Sequence, residues 1–154
     1  MTLGDIGRLT VPSILVLDDE PLISMMLEEW LTELGCKTIG PVQTVRGALD
    51  LIVNPSPDGA ILDLSLRNEN CYPVADVLRD RGIRFAFATG HDAHIIENRF
   101  HNELILSKPF DFESVRYVIA HLLDEPSRND NQRSGYFIED KGAERSGNAS
   151  FSGR

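Results

Sequence analysis

The chain is short of several things that would place it in other protein classes. It has two cysteines, Cys36 and Cys71, with no CxxC spacing, which excludes a disulfide framework and points to free thiols in a reducing compartment. Its four histidines are scattered rather than clustered as zinc ligands. No apolar run reaches the ~18–20 residues that a membrane span needs. The stretch Met1–Pro12 lacks the basic region and apolar core of a secretory signal. A cytoplasmic location with no membrane contact is therefore expected. Basic charge is also scarce. The formal net charge is −9, which argues against non-specific nucleic-acid binding, since that is driven by lysine and arginine against phosphate.

What the chain does have is a set of apolar runs that stop at polar residues. Ile14–Leu15–Val16–Leu17 stops at Asp18–Asp19–Glu20, Ala60–Ile61–Leu62 at Asp63, Phe85–Ala86–Phe87–Ala88 at Thr89–Gly90, and Leu104–Ile105–Leu106–Ser107 at Lys108–Pro109. Between them lie stretches of helical period. A helix is expected from Pro21 to about Leu34, with Leu22, Ile23, Met26, Leu27, Trp30, Leu31 and Leu34 as its apolar stripe and Gly35 as C-cap. A strand is expected over 37–40 and a second helix over 44–53, closed by Asn54–Pro55–Ser56–Pro57. A third helix is expected over 73–81 and ends at Gly82. A weaker pattern marks a fourth over 93–100, and a fifth over 112–123 buries Phe112, Val115, Val118, Ile119 and Leu122. Strands alternating with helices imply a five-stranded parallel sheet covered on both faces, in the flavodoxin-like order 2-1-3-4-5. The organisation is an N-terminal extension (1–12), one domain (13–123) and a tail (124–154). The last ~30 residues are too polar to offset the entropy of ordering and are expected to be flexible.

In such a sheet the strand C-termini share one edge, where ligands bind. Each polar residue there has an ordinary reading. Asp18–Asp19 can cap a helix, Thr89 suits a strand, and Lys108 can be a solvated lysine. Together they place carboxylates, a hydroxyl and an amine on one pocket. Strands one and three are neighbours, so Asp63 is expected to face Asp19. Crowded carboxylates need a cation, and hard oxygen donors suit Mg²⁺, while lysine and hydroxyl suit a phosphoryl group.

Leu17–Asp18–Asp19–Glu20–Pro21, Ile61–Leu62–Asp63–Leu64, Ala88–Thr89–Gly90 and Lys108–Pro109–Phe110 resemble the receiver domain of two-component response regulators. Tyr72–Pro73–Val74–Ala75–Asp76 and Phe87–Ala88–Thr89–Gly90 are similar to the alphaproteobacterial single-domain regulators with a Phe-Ala-Thr-Gly motif. The resemblance implies that Asp63 takes a phosphoryl group from a phosphohistidine, with Lys108 and Thr89 on its oxygens. It implies Mg²⁺ held by Asp19, Asp63 and the Ser65 carbonyl, with Asp18 acting through water, and a cis Lys108–Pro109 bond. It further implies a histidine kinase or histidine phosphotransferase as donor, a downstream protein target, a stress-response role and a monomer or weak homodimer. The chain is not expected to be an enzyme; an aspartate-nucleophile phosphatase needs an acid where Ser65 stands. With no output domain expected after Leu123, output is expected through protein contacts, the alternatives being a phosphate sink or shuttle and a phosphorylation-independent interaction module. Two positions depart from the family. Ile105 replaces the aromatic residue often found three before the lysine, so readout is expected through the segment 90–100. His91, beside the phosphoryl mouth, is expected to be a loop histidine or a modulator of water access. Cys71 is expected to be a packing residue.

Overall fold

The apolar runs become strands because their side chains find cover on both sides. The computed structural model describes residues 11–90 and 96–124. Five strands, β1 (Ser13–Leu17), β2 (Lys37–Val42), β3 (Gly59–Asp63), β4 (Arg84–Thr89) and β5 (Leu104–Ser107), form one sheet in the order β2-β1-β3-β4-β5, and each pair is parallel. The helices are α1 (Pro21–Glu33), α2 (Val45–Ile52), α3 (Tyr72–Asp80) and α4 (Phe112–Leu122). The flavodoxin-like arrangement read from the sequence is the one observed.

Helix ends follow local chemistry. Pro21 starts α1, where its missing N–H costs nothing. Thr44 caps α2 by accepting from Gly47 N at 3.0 Å, and Asp111 caps α4 by accepting from Ser114 N at 2.9 Å. Gly35 and Gly82 follow α1 and α3 with φ of +84° and +74°, the left-handed conformation that glycine adopts without a Cβ penalty.

Strand alternation sorts the core into two layers. Ile14, Val16, Ile61, Ala86, Ala88 and Leu106 meet Leu27 and Leu31 of α1 and Val115, Val118, Ile119 and Leu122 of α4. Leu15, Leu17, Ala60, Leu62, Phe85 and Phe87 meet Ala48 and Ile52 of α2, Val74, Ala75 and Leu78 of α3, and Phe100. Residues two apart on a strand share a face, so the sequence Phe-Ala-Phe-Ala of β4 puts aromatics on one layer and alanines on the other.

Four expectations need correction. Leu22 is outside the core, 78 % exposed, and shares an outward face with Met25; the buried arc of α1 is narrower than its apolar stripe. β2 runs to Val42 through Pro41, because an edge strand tolerates a residue with no N–H. Phe112 is only half-buried and sits edge-on to Trp30 with centroids 5.9 Å apart. In the stretch read as a fourth helix, the described part is a single 3-10 turn, Asn98–Phe100, too polar beyond Phe100 to bury a helical face. Residues 91–95, and with them His91 and the start of that helix, lie outside the described residues. The extension up to Thr10 and the tail from Glu125 do as well.

Candidate functional site

Three strand ends are pinned by backbone hydrogen bonds to their neighbours. Asp18 N donates to Val42 O at 3.0 Å, Leu64 N to Ala88 O at 2.9 Å and Lys108 N to Thr89 O at 2.8 Å. The pins hold Asp18, Asp63, Thr89 and Lys108 at one edge of the sheet. The Lys108–Pro109 bond is cis, as the resemblance implies. Val42 owes its place to a break in β1–β2 pairing between Leu15 and Leu17. Gly40 sits at that break with φ +96°, and a Cβ there would lie 2.7 Å from Val42 N. Only glycine fits the approach.

Asp63 is wholly buried and Asp18 nearly so. Each uses one oxygen to close a tight turn: Asp18 Oδ1 accepts from Glu20 N at 2.8 Å, and Asp63 Oδ1 from Ser65 N at 2.9 Å. The other oxygens, Asp18 Oδ2 and Asp63 Oδ2, are buried without a hydrogen-bond partner, and so is Thr89 Oγ1. Buried polar atoms in native proteins seldom lack a partner, and here three of them are grouped at one edge. Lys108 Nζ lies 3.4 Å from Asp18 Oδ2, 3.4 Å from Asp63 Oδ1 and 3.6 Å from Glu20 Oε2. One ammonium thus faces three carboxylates.

The charge imbalance is visible in the titration of the site. Burial, with the Asp63 charge adding to it, pushes the Asp18 carboxyl up to about 6, against the pull of the Glu20 N–H and Lys108. Burial works against the Lys108 charge, but Asp18, Asp63 and Glu20 outweigh it and hold the ammonium above its ordinary range. Cys71, at the head of α3, is buried, and desolvation together with Asp63 pushes its thiol up to about 12. A thiol held protonated in this way is inert, in keeping with a packing role.

Asp18, Glu20 and Asp63 each offer a carboxylate oxygen, and these lie within 4.8 Å of one another. Hard oxygen donors with two unpartnered buried atoms among them fit a divalent cation such as Mg²⁺. Asp19, expected to face Asp63, has one carboxylate oxygen on the loop that follows Asp63. Its Oδ2 accepts from Arg67 N at 2.8 Å and lies 3.8 Å from Arg67 Nε. Ser65 is exposed, and its N–H holds Asp63. Glu20, with its side chain 54 % exposed, is the residue that sequence reasoning left without a role; the tight turn that Asp18 closes on its N–H brings it to the same edge.

No family model and no curated protein matches the chain. Solved structures do. The solution structure of SdrG from Sphingomonas melonis Fr1 shares 43 % identity at a TM-score of 0.66, covering 74 % of this chain and 98 % of that one. The BeF3-activated conformation of SdrG from Pseudomonas melonis Fr1 shares 42 % identity at 0.64, over 73 % of this chain and 96 % of that one. The response regulator REC domain of PhyR from Erythrobacter litoralis shares 25 % at 0.67, over 80 % of this chain and all of that one. With 43 % of positions shared across nearly all of SdrG, and a receiver-domain fold in common, the chain belongs to the response regulator receiver domains.

Proposed function

We propose that Asp63 is the phosphoryl acceptor of a two-component response regulator that works with Mg²⁺. The observation that carries this is the Asp63 carboxylate itself. It is wholly buried at the end of the central strand, with one oxygen unpartnered and Lys108 Nζ 3.4 Å from the other. A buried carboxylate held this way is poised as a nucleophile. In the step, the N–P bond of a phosphohistidine breaks, an Asp63 Oδ–P bond forms, and the donor imidazole leaves with the N–P electron pair. Lys108 neutralises the phosphoryl oxygens. The Thr89 hydroxyl, unpartnered at the same edge, donates to one of them. Catalysis is then positioning and charge neutralisation, as in phosphoryl transfer generally.

Asp18, Asp63 and Glu20, whose carboxylates already converge, would hold the cation, and Asp19 and the Ser65 carbonyl would be further candidate ligands. Bound Mg²⁺ supplies neutralisation of the charge on the acceptor and the phosphoryl group. We read the donor as a histidine kinase or histidine phosphotransferase and the output as contact with a protein target. The run Phe87–Ala88–Thr89–Gly90 supports a place among the Phe-Ala-Thr-Gly regulators, and the BeF3-activated form of SdrG supports activation by a phosphoryl mimic. Among the described residues no helix is long and apolar enough to cross a membrane, which fits a cytoplasmic partner.

Intact mass after treatment with a small-molecule phosphodonor and Mg²⁺ tests the assignment. The wild type gains one phosphoryl group and Asp63→Asn gains none. An Asp63→Asn protein that is phosphorylated to the wild-type extent sinks it. Millimolar Mg²⁺ should also raise the melting temperature of the wild type by mass action on the folded state, and Asp18→Asn should blunt that rise.

A further inference from the structure

Thr89 stands apart from the rest of the site. By strand alternation, Asp18, Asp63 and Lys108 continue the rows that face α1 and α4, whereas Thr89 continues the row Phe85–Phe87 that faces α3. Phe87 does not stop at the sheet. Its ring lies 5.5 Å from that of Phe100 and 6.0 Å from that of Tyr72, both near perpendicular. Tyr72 and Phe100 stack at 5.1 Å and 8°. Beside Phe87 on β5 stands Ile105, its partner in register, at the position where many receivers carry an aromatic.

The Phe100 turn is fastened to α3 at several points. The Tyr72 hydroxyl accepts from Glu97 N at 3.1 Å. Arg99 donates to both Asp76 oxygens, at 3.0 and 3.2 Å, and pairs with Glu97. Arg79 pairs with Glu103. The guanidinium carbons of Arg79 and Arg99 are each 4.6 Å from the Phe100 ring centroid. These fastenings are exposed ion pairs and ring contacts, individually weak and sensitive to small displacements.

We infer that the Tyr72–Phe100 stack, clamped by Arg79 and Arg99, takes the part of the absent β5 aromatic and reports the state of Asp63 to the segment 96–103. The inference rests on the phosphoryl-acceptor reading above. Thr89 is β-branched, so turning its Oγ1 to a phosphoryl oxygen moves its methyl as well. The end of the aromatic row changes shape by about a methyl group. A packed row answers such a step by shifting as a unit rather than by yielding locally. Tyr72, Glu97, Arg99 and Asp76 are all satisfied with Thr89 in its present rotamer, so a shift of Phe87 costs the clamp its contacts. The segment 96–103 then loosens from α3, and Arg79 and Arg99 are released toward partners carrying acidic groups.

Hydrogen exchange on the full chain, with and without beryllofluoride and Mg²⁺, tests this. In the wild type, exchange across 97–103 should rise at least several-fold on adding beryllofluoride, and Asp63→Asn should abolish the rise. Tyr72→Phe removes the hydrogen bond to Glu97 N, and Arg99→Gln removes the Asp76 and Glu97 pairs and a ring contact with Phe100, neither opening the core. Both should exchange faster in 97–103 before beryllofluoride is added and gain less than twofold from it. Both should also take up a phosphoryl group on Asp63 to the wild-type extent by mass. Beryllofluoride bound in the wild type, seen as a ¹⁹F resonance, with 97–103 unchanged overturns the clamp and leaves the acceptor reading intact. A response at 97–103 that is the same in Tyr72→Phe and Arg99→Gln as in the wild type overturns it too. No bound resonance and no phosphoryl mass in the wild type overturns the acceptor reading, and the clamp falls with it.

Discussion

The two faces of the sheet carry the same number of strands but are built for different ends. On the α1–α4 side, β4 presents Ala86 and Ala88, and the bulk comes from Ile61, Leu106 and the helices. On the α2–α3 side, β4 presents Phe85 and Phe87, and the small residue is Ala60, the register partner of Phe85. Ile61 pairs with Ala86 on one face and Ala60 with Phe85 on the other, while Leu62 meets Phe87 as two large side chains. The difference lies in what the rows end on. The alanine row runs beside Asp63, whose register partner is Ala88, and a small neighbour leaves room beside that carboxylate. The aromatic row ends on Thr89. One face thus leaves space beside a buried carboxylate and the other is filled with rigid rings.

The comparison can be broken from several sides. Phe87→Ala should cost the most, about 3–5 kcal/mol in urea unfolding, because a buried ring is lost from a face with no spare side chain to collapse into the hole. A loss near 1 kcal/mol would show that the aromatic face is loosely packed. Asp18→Asn probes the polar end of the other face. The folded carboxyl titrates at about 6, above its value of 3.8 in the unfolded chain. The folded state therefore binds the extra proton between these values, and stability falls as pH rises from about 4 to about 6. With chelator present, Asp18→Asn should lack that fall, worth up to about 3 kcal/mol at neutral pH. Parallel pH profiles for the two proteins would refute the assignment. Ala86→Leu should cost about 1–3 kcal/mol by overpacking against α4, and a neutral result would mean that the alanine face has unused volume. Leu22→Ser, on the outward side of α1, should move stability by no more than about 0.5 kcal/mol. A larger loss would place Leu22 in a contact that its exposure does not show.

Much of this was legible in the residue order. The strands were, because each is a short, nearly continuous apolar run ended by a charged or hydroxyl residue. The meeting of Asp18, Asp63, Thr89 and Lys108 at one edge followed from parallel topology alone. Other features depend on three-dimensional detail. The width of the buried arc on α1 depends on where β1 and α4 lie, so Leu22 looked the same as Leu27. Three consecutive acids after β1 gave no hint of which carboxylates would converge, because they lie in a turn rather than a strand, and one Asp19 oxygen is taken by an N–H of Arg67, 48 residues away. The Phe100 turn was hidden because its hold comes from Tyr72, Arg79 and Asp76 on a different element, which no local periodicity records.

The outer strands also bear on how the molecule meets others. β2 carries Pro41 inside it beside Gly40, and β5 has four residues before Pro109. A proline offers no N–H to a neighbouring strand, and a short edge offers few groups to begin with. Neither margin of the sheet is a good template for strand addition. Strand addition at either margin is thus disfavoured, which leaves the helices and loops as the surfaces open to contact.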